Sequence, residues 1–312
     1  MAGKKDRSGR EVPWEPSEAL PERSAREAPS PAVAYEELAP GLVLLGRFRL
    51  LADLGEGGLG RVFRARDERF GIDVLLKTLK EPLAADAGLV DHFQREIRLA
   101  QRIAHPAVAR TYDFWMAGRF GFVAVEFVEG VALRDELRKR GALPPALALR
   151  LGAELLDGLA AAHELGVVHR DVKPQNIYLA EGQLKIAHFG IAQGVDVALP
   201  GVRTLTARLV GTPEYMSPEQ LAAERVDART DLYSAGLVLF EMLTGRLPFA
   251  ATERTALATQ RRHATPMHAS AFVPALPPQL DELLLRLLNR EREGRFPTAE
   301  AALAALNQIR AA

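Results

Sequence analysis

The chain has 312 residues, 48% hydrophobic and 26% charged, which supports a large buried core and about two domains. Forty basic residues against forty acidic ones leave no net field favouring nucleic acid or an anionic membrane, and the lack of cysteine excludes disulfides, thiolate zinc sites and a cysteine nucleophile. No stretch reaches the roughly 18 to 20 apolar residues of a membrane span, and the N-terminus is too polar and proline-broken for a signal peptide, so a cytoplasmic chain is expected.

Residues 1–40 mix charges with Pro13, Pro16, Pro21, Pro29, Pro31 and Pro40 and show little apolar periodicity, so a disordered tail is expected there. From Leu42 the pattern changes to short β-type runs at Arg47 to Leu54, Arg61 to Arg66 and Ile72 to Leu79. Val90, Phe93, Ile97, Ala100 and Ile103 then recur at helical spacing before His105-Pro106 breaks the pattern. A strand over Phe120 to Val128 and a short helix over Leu133 to Arg140 flank the Glu129-Gly130 turn. Beyond Pro144 helices dominate. Leu147, Leu151, Leu155 and Leu159 share one face of a helix that Gly166 is placed to end with a left-handed cap, and a second core helix is predicted from about Asp231 to Leu243. The segment between, 167–220, is dense in short strands, loops and polar residues, the expected place for chemistry. No repeat at solenoid or propeller period is evident. The pattern describes a small sheet-rich lobe followed by a larger helical one, with divisions at 1–40, 41–128 and 129–312.

The motifs point to phosphoryl transfer. Leu54-Gly55-Glu56-Gly57-Gly58-Leu59-Gly60-Arg61-Val62 fits G-x-G-x-x-G-x-V, in which missing side chains let backbone N–H groups approach phosphates. Alone this is also what a glycine-rich hairpin looks like. Seventeen residues beyond Gly60, however, Lys77 ends Val74-Leu75-Leu76-Lys77 on a predicted strand, and nineteen further Glu96 lies on the helix. Pairing of the two would set the lysine against the α- and β-phosphates. The sharpest signal is His169-Arg170-Asp171-Val172-Lys173-Pro174-Gln175-Asn176. There Asp171 is expected to orient a substrate hydroxyl, Lys173 to neutralise the moving phosphoryl group and Asn176 to hold a metal ion.

On these motifs, residues from about 47 to 308 resemble a protein kinase catalytic domain, most nearly the bacterial serine/threonine kinases of the eukaryotic-like type. The resemblance implies an α+β, two-lobed fold, ATP with magnesium or manganese, and a protein substrate or a partner signalling protein. It extends through Gly211-Thr212-Pro213-Glu214-Tyr215-Met216-Ser217-Pro218-Glu219, similar to the family's substrate-facing loop, with Ser217 where alanine is usual. It further implies that Glu219 pairs with Arg295, that Asp231 braces the catalytic loop, and that Lys173 with Thr212 suits a serine or threonine acceptor. Adenine contacts are expected at Glu126 to Val128 behind a gatekeeper Val125. Thr204 to Thr206 fall where an activation loop would be phosphorylated, with Arg170 as receiver.

Three residues around the nucleotide pocket depart from the family. His188, in Leu184-Lys185-Ile186-Ala187-His188-Phe189-Gly190, stands where an aspartate would hold magnesium. Imidazole offers one lone pair and no formal charge, so metal-based stabilisation worth several kcal/mol is expected to be lost. Leu75 replaces a small residue that roofs the adenine ring, and overpacking such a slot costs about 1–3 kcal/mol; Tyr178 replaces a leucine that floors it, where the lobes can open slightly and an aromatic can stack. Expected, therefore, is a pseudokinase-like regulator with weakened ATP affinity. The alternative is an active serine/threonine kinase with unorthodox metal use, supported by intact Lys77, Glu96, Asp171, Lys173 and Asn176. A small-molecule phosphotransferase is disfavoured by the Gly211 to Glu219 run.

Overall fold

The structure, a computed structural model, describes residues 34–56, 60–80, 84–189, 213–249, 251 and 253–311. Short strands from the N-terminal part, β1 (Val43–Leu44), β2 (Phe48–Glu56), β3 (Arg61–Asp67), β4 (Ile72–Leu79), β5 (Thr111–Ala117) and β6 (Phe120–Glu126), form an antiparallel sheet in the order β1-β2-β3-β4-β6-β5. Alternation sorts their side chains by face. One face carries Phe63, Ala65, Val74, Leu76, Phe122 and Ala124 into a core sealed by Phe48, Leu50 and Phe120. The other presents Val62, Leu75, Lys77, Val123 and Val125, paired across β3, β4 and β6.

The segment 34–40, expected to belong to the tail, is packed instead. Leu38 is 1% exposed in the sheet core. Tyr35 stands edge-on to Phe120, and its hydroxyl accepts a hydrogen bond from Arg61 N at 2.8 Å. Two large side chains that find a pre-formed apolar face at roughly 1.5–3 kcal/mol each are enough to order a short segment despite its composition.

Helix α1 (Ala87–Ala100) begins where Asp86 accepts a hydrogen bond from Leu89 N, a side-chain N-cap. It buries Leu89, Phe93, Ile97 and Ala100 against Leu79, Phe114, Val123 and Val125. Leu89 rather than Val90 opens the buried stripe.

The helical part starts with α2 (Leu133–Arg140) and the long α3 (Pro145–Glu164), which ends at Gly166, φ 74°, as its left-handed cap requires. Helix α4 (Pro218–Leu221) precedes α5 (Ala228–Thr244), which is buried along nearly its whole length. The latter begins three residues before the expected Asp231 because Asp227 caps it through Arg229 N. Helices α6 (Arg254–His263), α7 (Pro278–Leu287) and α8 (Ala299–Ala311) complete the bundle, α8 lying along α3. A three-stranded sheet of β7 (Val131–Ala132), β8 (Ile177–Ala180) and β9 (Gln183–Ile186) lies between the two parts, and β9 is tied to the segment after α1 by Ala109 N to Ile186 O (2.9 Å) and Ile186 N to Ala107 O (2.8 Å). This two-lobed arrangement is the one the motifs imply.

Candidate functional site

Gly55, Val62 and Lys77 fall in one cross-strand row of β2, β3 and β4. Gly55 has φ 105°, a conformation that favours glycine, whereas Gly60 is required by packing, since a Cβ there would lie 2.5 Å from Thr78 O. Gly57 lies outside the described residues. Lys77 retains some contact with solvent, but burial pulls its ammonium pKa down to about 7, Asp171 opposing that shift and Lys173 adding to it.

The expected pairing of Lys77 with Glu96 is not made. Glu96 lies 4.0 Å from His92 Nε2, one turn earlier on α1, and no ion pair to Lys77 occurs among the described residues. Sequence spacing places both residues correctly but does not set the rotation and distance of α1 relative to β4.

Lys77 therefore bears a desolvation penalty that Asp171 offsets only in part. Between pH 7 and 10.5 the unfolded chain holds more of this proton than the folded one, so stability should rise as pH increases across that window, the penalty being complete below 7. Lys77→Met should raise stability near pH 6.5 by about 0.5–2 kcal/mol and flatten the slope towards pH 9, as read by urea denaturation at both pH values.

The catalytic loop is braced from beneath. Asp231, fully buried, accepts hydrogen bonds from His169 N and Arg170 N, each at 2.7 Å, and meets His163 Nε2 at 2.8 Å. Burial alone would raise its carboxyl, but the His163 contact, the nearby histidines and the backbone donors hold it below its ordinary value. The brace holds Arg170 at φ 63°, a conformation few side chains adopt unaided. Asp231→Ala should cost about 3–5 kcal/mol because it orphans two buried N–H groups and His163, a loss measurable by chemical denaturation.

Above the brace, Asp171 Oδ2 takes Lys173 Nζ and Asn176 Nδ2, both at 2.8 Å, and Asn176 Nδ2 also donates to Asp171 O. Arg170 keeps a buried Nε without a hydrogen-bond partner. Thr204, Thr206 and Thr212, its expected regulatory companions, lie outside the described residues.

His188 follows β9 at φ 81°. Phe189 is buried and packs edge-on to His169, ring centroids 4.6 Å apart, while His169 Nε2 meets Ala187 O at 2.9 Å. His188 is neutral: burial drives its pKa well below the usual histidine value, and Lys77, His169 and Lys173 push it the same way. Its Nδ1 is buried with no hydrogen-bond partner.

These donors do not suit magnesium, which requires hard oxygen ligands and near-octahedral geometry. One uncharged nitrogen stands in the principal position, Asp171 Oδ2 is already shared by Lys173 and Asn176, and Asn176 Oδ1 is an oxygen left uncommitted among the described residues. Among the described residues no group of three or more His, Asp or Glu side chains could hold a metal.

At the expected adenine edge, the Glu126 carboxylate is held away from solvent duty. Lys185 Nζ donates to it at 2.5 Å and Arg110 N at 2.9 Å, so this side chain shapes the segment rather than offering itself to a ligand. Phe127 lies under the Arg64 guanidinium at 4.5 Å, and Val128 is half-buried. Leu75, opposite Val125, packs partly against the interface of sheet and α1. Tyr178 is half-buried opposite Ala132 and Lys185, its phenol pushed up by burial and by the charge of Asp135.

Beyond the cleft, Arg295 donates to both oxygens of Glu219 at 2.8 and 2.9 Å. Tyr215 donates to Glu241, and Arg261, 1% exposed, donates to the carbonyls of Pro213 and Glu214. Gln220 Nε2 donates to Arg170 O at 2.7 Å. Sequence reasoning missed His163, Gln220 and Arg261; each acts across 47 or more residues of chain, and none carries a local pattern.

Residues 48–306 match the family model described as protein kinase domain. The serine/threonine-protein kinase pkn2 of Myxococcus xanthus is 39% identical over 276 residues, covering 86% of this chain and 33% of that protein. PknL of Mycobacterium tuberculosis is 37% identical over 268 residues, 86% of this chain and 66% of its own length. The chain thus spans about a third of the first relative and two thirds of the second. A crystal structure of the M. tuberculosis PknI kinase domain superposes with a TM-score of 0.69 at 27% identity, covering 88% of this chain and all of that one.

Proposed function

Because the chain belongs to the protein kinase domain family, and resembles its bacterial serine/threonine members, we propose that it is a kinase-fold signalling regulator whose own phosphoryl transfer is impaired. The observation that carries this reading is His188, neutral and unpartnered at Nδ1 beside two lysines. Catalysis of phosphoryl transfer is mostly positioning and charge neutralisation, and the group that should anchor the neutralising cation is the one replaced.

The remaining parts keep the roles their chemistry suits. Lys77 contacts the α- and β-phosphates of ATP, Asp171 orients the hydroxyl of a protein serine or threonine, and Lys173 sits over the transferring group. Leu75 and Tyr178 narrow the adenine slot and weaken ATP binding. Signalling then proceeds by contact with a partner kinase or other protein rather than by turnover.

The test compares wild type with Asp171→Asn for transfer of labelled phosphate from ATP to a generic basic protein in magnesium. The expected rate is within about tenfold of the Asp171→Asn background. Turnover in the ordinary kinase range, roughly 1–100 s⁻¹, would establish an active enzyme instead. No helix among the described residues is long and apolar enough to cross a membrane.

A further inference from the structure

The cleft between β4 and the catalytic loop holds two ammonium groups against one carboxylate. Among the described residues Asp171 is the acid whose charge bears on Lys77, and it is already shared at 2.8 Å by Lys173 and Asn176. Glu96, the other acid expected there, faces His92. His188 follows Ala187, whose N–H donates to Asn176 O at 2.8 Å, and brings an imidazole and no carboxylate to this place. Below pH 7, where both lysines are protonated, Lys77, Lys173, Asp171 and a neutral His188 sum to one positive unit, whereas an aspartate at 188 would bring them to neutrality.

That difference decides what the cleft complements. A dication entering beside two ammonium groups meets repulsion from both, and the Asp171 carboxylate that could offset the loss of its water shell is already shared by Lys173 and Asn176. A polyphosphate meets the opposite situation. Each of its charges is attracted by both lysines.

We propose that this cleft binds a nucleoside triphosphate as the free polyanion, without a divalent cation, Lys77 and Lys173 supplying the positive charge that magnesium supplies in a cleft with an aspartate. The proposal rests on the reading of the chain as a kinase-fold nucleotide binder, and it deepens that reading by naming the form of the ligand. It also bears on the impairment: a triphosphate held by two fixed ammonium groups lacks the bridging ion between its β- and γ-oxygens that neutralises charge developing in the transition state.

Isothermal titration of the full chain with ATP, in excess EDTA and then in millimolar magnesium, tests it. Wild type should bind in EDTA at least as tightly as in magnesium, within about threefold. In His188→Asp, magnesium should tighten binding by about tenfold or more, and Lys77→Met should weaken binding in EDTA by a similar factor. The wild-type comparison suffices if a variant does not fold. Wild-type binding seen only with magnesium, or not seen in either buffer, overturns the proposal. The phosphate-transfer assay is separate: slow transfer with magnesium-dependent binding removes only this inference, while rapid transfer removes the reading of impaired catalysis.

Discussion

Replacing His188 by aspartate is expected to raise the rate of phosphoryl transfer from magnesium ATP to a generic protein substrate by about a hundredfold or more. The substitution returns a hard anionic ligand to the position next to Asn176, and metal-based charge stabilisation is worth several kcal/mol, each 1.4 of which is about a factor of ten. Three features make recovery plausible in this chain. Aspartate accepts the left-handed backbone that His188 holds at φ 81°. Lys77 and Lys173, whose charges now oppose protonation of the imidazole, would favour an ionised carboxylate. Asp171, Lys173 and Asn176 are already joined at 2.8 Å. Recovery should appear mainly in kcat, because on the proposed reading Leu75 still crowds the adenine slot and KM should stay high. Initial rates at several ATP concentrations measure both. An unchanged kcat, with the variant folded, would place the defect elsewhere in the cleft.

Arg295→Ala is expected to destabilise the fold by about 3–5 kcal/mol, because it leaves the Glu219 carboxylate buried and uncompensated. The two side chains are 0% and 3% exposed and are joined by two hydrogen bonds, with Thr230 Oγ1 donating a third to Glu219 at 2.7 Å. Burial alone would raise the Glu219 carboxyl, but Arg295 holds it below the ordinary value. In wild type this contribution is therefore present above the unfolded value of 4.5 and is lost as pH falls through the depressed folded value. Without Arg295, burial dominates and the folded value rises. The variant should then bind protons more readily folded than unfolded, and its stability should improve as pH falls from 7 towards 5, opposite in slope to this pair's contribution in wild type. Urea denaturation at the two pH values reads both effects. Glu219→Gln combined with Arg295→Ala should recover part of the loss, since the orphaned charge is gone.

Much of this was legible before any coordinates. Strands β2, β3 and β4 follow from alternation and glycine turns, α1 from a stripe of apolar residues, and the catalytic loop from one polar run. Strand β5 was not foreseen: its burial does not alternate cleanly, and a register shift between Thr111 and Asp113 disturbs its pairing with β6. The packed segment at Tyr35 and Leu38 was hidden by proline-rich surroundings, because ordering there comes from a distant sheet face. Long-range partners were invisible for the same reason. His163 and Asp231 are 68 residues apart, and nothing local marks them as neighbours. Most consequential is Glu96, whose place on α1 the spacing predicts while its position 4.0 Å from His92, unpaired with Lys77 among the described residues, depends on how the helix packs.

Anomalous scattering from crystals soaked with ATP and manganese addresses the charge deficit most directly. The expected map for wild type shows the nucleotide with no manganese peak at His188, while His188→Asp crystals under the same soak show one between the new carboxylate and the phosphates. A strong peak within bonding distance of His188 Nδ1 in wild type would mean that the imidazole holds the metal after all.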